Sequence, residues 1–161
     1  MKIITLVGII LLLTSIGANA QDDQLYGTWR LMSWTQEVVG TGERTDVLGK
    51  APNGFLTYGR DGRMAAIIVR ANRPKPTDLT KLTDQERADL FKSMLAYAGT
   101  FKVDGTRVVH NVDISWNENA TGTTQVRNFR IDGRRLILTA GPQVGFDGKQ
   151  TTYVVTWEKV Q

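Results

Sequence analysis

The stretch Thr123–Ile131, Thr-Thr-Gln-Val-Arg-Asn-Phe-Arg-Ile, decides the fold. Thr, Val, Phe and Ile favour an extended, pleated backbone, and Asp132-Gly133 follows as a tight turn, so the stretch reads as one arm of a hairpin. Alternate side chains of a strand point to opposite faces. If Phe129 and Ile131 enter a core, Gln125 and Arg127 enter it with them. A guanidinium is rarely buried without a partner, because stripping its charge of water is costly. The core around this strand is therefore either ion-paired or partly hollow, and the pattern favours a hollow barrel with a polar foot.

Working outward, Arg135–Ala140 and Thr151–Lys159 continue as strands downstream. Upstream, Arg107–Trp116 ends in the polar loop Asn117–Gly122, and Tyr97–Val103 ends at the turn Asp104-Gly105. Phe55–Tyr58 and Arg63–Arg70 make a hairpin around Gly59-Arg60-Asp61-Gly62. Its second arm, Met64–Val69, is apolar on both faces, so one face lines the interior and the other calls for a cover. In Gln24–Glu37, Trp29, Leu31 and Ser33 share one face and Arg30, Met32 and Trp34 the other. Neither face is cleanly polar, which suggests a strand that bends or is covered at one end. Thr45–Leu48 is a short further strand.

One helix interrupts this pattern. Pro74 and Pro76 keep Ala71–Thr80 out of any central strand. Thr83-Asp84-Gln85-Glu86 is then a capping box, opening a helix expected to run to about Ala96 with Leu90, Phe91, Met94 and Leu95 as its apolar stripe. That stripe either packs on the sheet or makes the helix a lid over one barrel mouth, hinged on the Pro-rich loop. Two Asp-Gly turns join neighbouring strands in series, which is the signature of a meander. The expected fold is all-β: an antiparallel up-and-down barrel of about eight or nine strands, closed so that no edge is left exposed, with one inserted helix.

The first residues have a different purpose. Lys2 precedes an apolar run, Ile3–Ile16, and Ala18-Asn19-Ala20 is a small-residue cleavage site. The run is short for a membrane span, so 1–20 reads as a secretory signal peptide and 21–161 as one domain. A periplasmic or secreted location follows, with no stable membrane span after cleavage. Of the 20 basic residues only Lys2 leaves with the signal, so nineteen face sixteen acidic ones, a net of +3. No run of Lys or Arg tracks a phosphate backbone, and export argues against nucleic acid as a partner. The chain has no cysteine and one histidine, so disulfides and thiol chemistry are excluded and no zinc site or cofactor is expected. No P-loop, dinucleotide or nucleophile-elbow motif occurs.

Several stretches carry a resemblance. Gly27-Thr28-Trp29 looks like the G-x-W signature of the lipocalins. Gly54-Phe55-Leu56-Thr57-Tyr58, Asp61-Gly62-Arg63-Met64, Tyr97-Ala98-Gly99-Thr100-Phe101, Gln125-Val126-Arg127-Asn128-Phe129 and Trp157-Glu158-Lys159-Val160 resemble a bacterial and fungal lipocalin-like domain family, in order along nearly all of 21–161. The resemblance implies a calycin-type barrel. It departs from the true lipocalins in lacking their disulfides and in offering Lys159 where a late Arg stacks on the first-strand Trp. Shared fold does not establish shared function.

The residues that carry chemistry are few. His110 shares a face with Val108, Val112 and Ile114, assigned to the interior. In a meander Arg107–Trp116 and Thr123–Ile131 are neighbours, which brings His110 near Gln125 or Arg127. A cation, an amide and a titratable ring in an apolar cavity suit the carboxylate or carbonyl of an otherwise apolar ligand. The bland alternative is an internal network with Arg127 paired to an acid and His110 a satisfied core residue. Tyr58, Tyr97 and Tyr153 either add hydroxyls to the cavity or simply pack. Trp29 and Trp157 are expected to plug one end, and Trp34 and Trp116 to stand at the open mouth. The leading reading is an exported protein that binds a small hydrophobic or amphipathic molecule with one polar end. Two others stand beside it: an isomerase, cyclase or hydratase using His110 as acid or base, and a filled barrel with a structural role in the envelope.

Overall fold

The computed structural model describes residues 23–145 and 147–160; the expected signal peptide lies outside the described residues. The strands are β1 (Gly27–Val38), β2 (Arg44–Asp46), β3 (Asn53–Tyr58), β4 (Arg63–Val69), β5 (Met94–Asp104), β6 (Arg107–Ser115), β7 (Thr124–Asp132), β8 (Arg135–Val144) and β9 (Gln150–Lys159). An α-helix, α1 (Asp84–Lys92), lies between β4 and β5. All pairings are antiparallel, each strand from β3 to β9 pairs with the next, and β1 pairs with β9 to close the barrel. β2 pairs only with the far half of β1, where β3 has already left that edge. The ring is therefore β1 and β3–β9, and the expected meander barrel is what forms.

The two ends of the barrel are built differently. One carries the tight turns between β3 and β4, β5 and β6, and β7 and β8. The other carries the long β4–β5 connection with α1, the β6–β7 loop and the β8–β9 loop. Side chains from the inner faces, including Trp29, Leu56, Tyr58, Val108, Leu136 and Trp157, make one buried core.

Three bulges set which side chains face inward. In β1 the register slips between Leu31 and Ser33, so Trp29, Leu31 and Trp34 are all buried although strict alternation puts Trp34 opposite Trp29. In the β5–β6 ladder Ala98 faces Ile114 while Gly99 faces Val112, leaving Asp113 unpaired. Beyond it Ile114 turns outward, 66% exposed, which corrects its assignment to the interior beside His110. Gly99 makes the slip possible, because a Cβ there would overlap the Asn111 carbonyl oxygen. In β8 the register slips again between Ala140 and Gln143.

The helix differs from expectation too. The capping box is present: Thr83 Oγ1 accepts from Glu86 N–H, and Glu86 Oε2 accepts from Thr83 N–H. The helix ends at Lys92, and Met94 and Leu95 belong to β5. The four apolar residues are therefore split between two elements, and α1 buries no residue against the sheet. Arg73 holds this connection together by donating to Ser93 Oγ at 2.8 Å and to the Leu90 carbonyl at 3.2 Å. With no second layer over it, the outer face of β4 stays open, and Ile67 is 50% exposed rather than covered.

Candidate functional site

The inward faces enclose a cavity of about 590 Å³ at the end that carries the long loops. Leu56, Ala66, Ile68, Leu138 and Val155 give it apolar walls, and Trp34, Trp116 and Trp157 give it aromatic ones. The rim comes from the β6–β7 loop through Asn117 and Ala120 and from the β8–β9 side through Gln143 and Gly145. Phe91 of α1 stacks against Trp116 with ring centroids 4.8 Å apart, which places the C-terminal end of the helix beside the mouth. Trp34 and Trp116 thus stand where they were expected. Trp157 is a correction: it is buried, but it forms part of the cavity wall rather than only plugging the opposite end.

Gln125 and Arg127 both line the cavity, because they sit two apart on the inner face of β7. Arg127 Nη2 donates to Gln125 Oε1 at 2.6 Å and Nη1 donates to the Val126 carbonyl at 3.1 Å. Among the described residues no carboxylate pairs with Arg127, so the ion-paired alternative does not hold. Among the described residues no Asp or Glu lines the cavity, and Arg127 is the charged residue on its wall. A guanidinium carries five N–H donors, so two bonds leave donating capacity directed at whatever occupies the space.

His110 faces Gln125 across the β6–β7 ladder, two residues along from the pair Val108–Arg127. It is fully buried and does not line the cavity. Tyr58 Oη lies 2.7 Å from His110 Nε2, and Tyr97 Oη lies 2.9 Å from His110 Nδ1. Burial, aided by the nearby charge of Arg127, pushes the imidazole down to about 3, so His110 is neutral at ordinary pH. Burial likewise raises both phenols, Tyr58 strongly, with Arg127 opposing. Tyr97 and Tyr153 line the cavity, whereas Tyr58 sits behind it, packed on Phe101 with centroids 4.6 Å apart.

Of the expected site residues, Gln125, Arg127, Tyr97 and Tyr153 therefore meet at one surface, and Tyr58 and His110 form a second row behind Tyr97. Sequence reasoning did not find Ser115 or Gln143. Ser115 reaches the cavity through the bulge at Asp113, and Gln143 lies just past the one in β8. The indole N–H groups of Trp34 and Trp157 are buried within the wall and have no hydrogen-bond partner.

A 4'-hydroxy-3'-methoxypropiophenone carrier protein of Aspergillus oryzae is 32% identical to this chain over 107 residues, covering 60% of this chain and 96% of the relative. Among solved structures, a lipocalin-like protein from Bacteroides uniformis aligns with 85% of this chain and 99% of its own, at a TM-score of 0.44 and 15% identity. An uncharacterized protein from Bacteroides eggerthii aligns with 82% of this chain and 98% of its own, at 0.38 and 14%. The model of the lipocalin-like domain matches residues 26–160, the whole barrel from the start of β1 to the end of β9, and the chain belongs to that family.

Proposed function

We propose that this protein is an exported carrier that holds a small, mostly apolar molecule in the barrel cavity by its one polar end. The observation that carries the reading is Arg127, which among the described residues has no carboxylate partner, in a cavity of about 590 Å³ with apolar and aromatic walls and no acidic residue among the described ones that line it. A cation left without a counter-charge in such a space favours a ligand that brings an acceptor. The volume suits a drug-sized molecule. The family relative named as a carrier supports a binding role, and the apolar run with its cleavage site in 1–20 supports export. Use of His110 as a direct acid or base has less support, because its ring is buried and both nitrogens are engaged by tyrosines.

The test begins with protein exported from a bacterial host and purified gently. After denaturation, the released small molecules are identified by mass spectrometry. The refolded protein is titrated with 4'-hydroxy-3'-methoxypropiophenone and with any released compound, following tryptophan fluorescence. Arg127→Ala is expected to raise Kd at least tenfold, about 1.4 kcal/mol, for a ligand with a polar end. Equal affinity of the variant for every ligand that binds would sink the anchor role.

A further inference from the structure

The hydrogen bonds behind the cavity wall have a direction. Tyr58 is 1% exposed, and its hydroxyl has one partner, His110 Nε2. A buried hydroxyl proton needs an acceptor, because leaving it unmet costs the full desolvation of the group. Tyr58 must therefore donate to Nε2. A neutral imidazole carries one N–H, so the proton sits on Nδ1 and is donated to Tyr97 Oη. Tyr97 then accepts from the ring, and its own hydroxyl proton is left over. No other described group takes that proton, and Tyr97 lies on the cavity wall. The reverse tautomer would strand the Tyr58 proton in the core, whereas this one leaves the spare proton on Tyr97, which borders the cavity.

We infer that Tyr58, His110 and Tyr97 form a one-way relay that commits Tyr97 to donating into the cavity, and that Tyr97 and Arg127 together select a ligand whose polar end is an oxyanion, carboxylate or phenolate. The ligand half of this inference rests on the cavity being a binding site; the relay half does not. The remaining polar character of the site agrees with it. Arg127 lines the cavity, and Gln125 Oε1 is already occupied by it. Charged ligands thus meet donors and a cation, with no carboxylate to receive an ammonium group. In the absence of His110 the Tyr97 hydroxyl is free to rotate and to act as donor or acceptor, so the relay contributes discrimination as well as order.

The chain has a single histidine, which makes the relay directly readable. Untagged, ligand-free protein labelled with ¹⁵N-histidine is examined by long-range ¹H–¹⁵N correlation near neutral pH. The expected spectrum shows a protonated Nδ1 and an unprotonated Nε2. A protonated Nε2, or an imidazolium, overturns the relay whether or not any ligand binds. The ligand half is tested by calorimetric titration with 4-phenylbutyrate, 4-nitrophenol at a pH where it is ionised, and 4-phenylbutylamine. At least one of the two oxyanions should bind tenfold or more tighter than the amine, and which one does so separates carboxylate from phenolate. Tyr97→Phe should weaken that oxyanion about tenfold while leaving the amine unchanged. An amine that binds as well as both anions, or a Tyr97→Phe variant with undiminished anion affinity, overturns the selectivity. Failure of all three probes to bind overturns the ligand half together with the carrier reading, and the tautomer still decides the relay.

Discussion

Trp29 and Trp34 lie on the same strand, on the same inner face, and do opposite things. At the closed end Trp29 is enclosed on every side. Its Nε1 donates to the Leu25 carbonyl at 2.8 Å, and Lys159 Nζ sits 4.3 Å from its ring centroid. The same ammonium donates to the Gln24 carbonyl at 2.9 Å and to the Tyr26 carbonyl, tying the entering chain to the end of β9. Lys159 thus takes the place of the late Arg that the resemblance implied. At the other end Trp34 borders the cavity, tilted against Tyr153 with centroids 6.1 Å apart, and its N–H has no partner. An enclosed, fully partnered ring contributes to stability. A ring that faces empty space gives up part of its dispersion contacts, and a buried N–H without a partner adds a cost. The barrel is thus organised as a stopper at one end and a receptor at the other.

Truncation at the two positions should separate these roles most sharply. Trp29→Ala is expected to cost about 3–5 kcal/mol in denaturant unfolding, the range for a large aromatic removed from a packed core. Trp34→Ala should cost roughly half as much, because one side of the ring already lacks neighbours. Ligand affinity should respond in the reverse order, with only Trp34→Ala reducing it in protein that remains folded. Equal losses of stability would erase the distinction between the ends.

His110 lies between the two regions and gives them a shared pH dependence. Its folded-state pKa of about 3 lies below the ordinary value of 6.5, so between those values the unfolded chain binds the extra proton. The stability contributed by a neutral His110 is therefore fully present above about pH 6.5 and lost as pH falls. The slope is about 1.4 kcal/mol per pH unit across that window. Asp78 and Glu86 are also held below their usual carboxylate range by hydrogen bonds from Thr80 and Thr83, so acid weakens the chain by more than one route. The measurement is the difference between wild type and His110→Gln in urea unfolding from pH 7 to pH 4. A difference that stays constant over that range would remove His110 from the account.

The smallest effect concerns the stopper. Lys159→Met keeps a long apolar stem over Trp29 but removes the ammonium from the ring face and from two backbone carbonyls. A loss of roughly 1 kcal/mol is expected, with cavity affinity unchanged. Any weakening of ligand binding in that variant would show that the two ends are coupled rather than separate.

Much of this molecule was legible before any coordinate. The Asp-Gly turns at 104–105 and 132–133, the hairpin around 59–62 and the Thr83–Glu86 capping box are local signals, and each is where the residues place it. The alternation of Gln125, Arg127 and Phe129 on one face of β7 was equally readable and led to the cavity. Ile114 and Trp34 were placed on the wrong faces for one shared reason: a bulge inserts a single residue and reverses the parity of everything beyond it. The helix was overextended because Met94 and Leu95 continue its apolar spacing, while pairing with β4 opposite Val69 and Ile68 decides that they are strand.

The sequence by itself determined the strand order, the single inserted helix and the presence of an arginine on an inner face, because turn chemistry and the two-residue period act over a few neighbours. Tertiary structure decided the rest. Whether the barrel is hollow depends on how side chains from eight strands meet at its centre, and which ones arrive there depends on bulges that are settled by the facing strand. The tautomer of His110 is decided in the same way, since Tyr58 and Tyr97 reach it from β3 and β5, far apart in the chain and adjacent only once the sheet has closed.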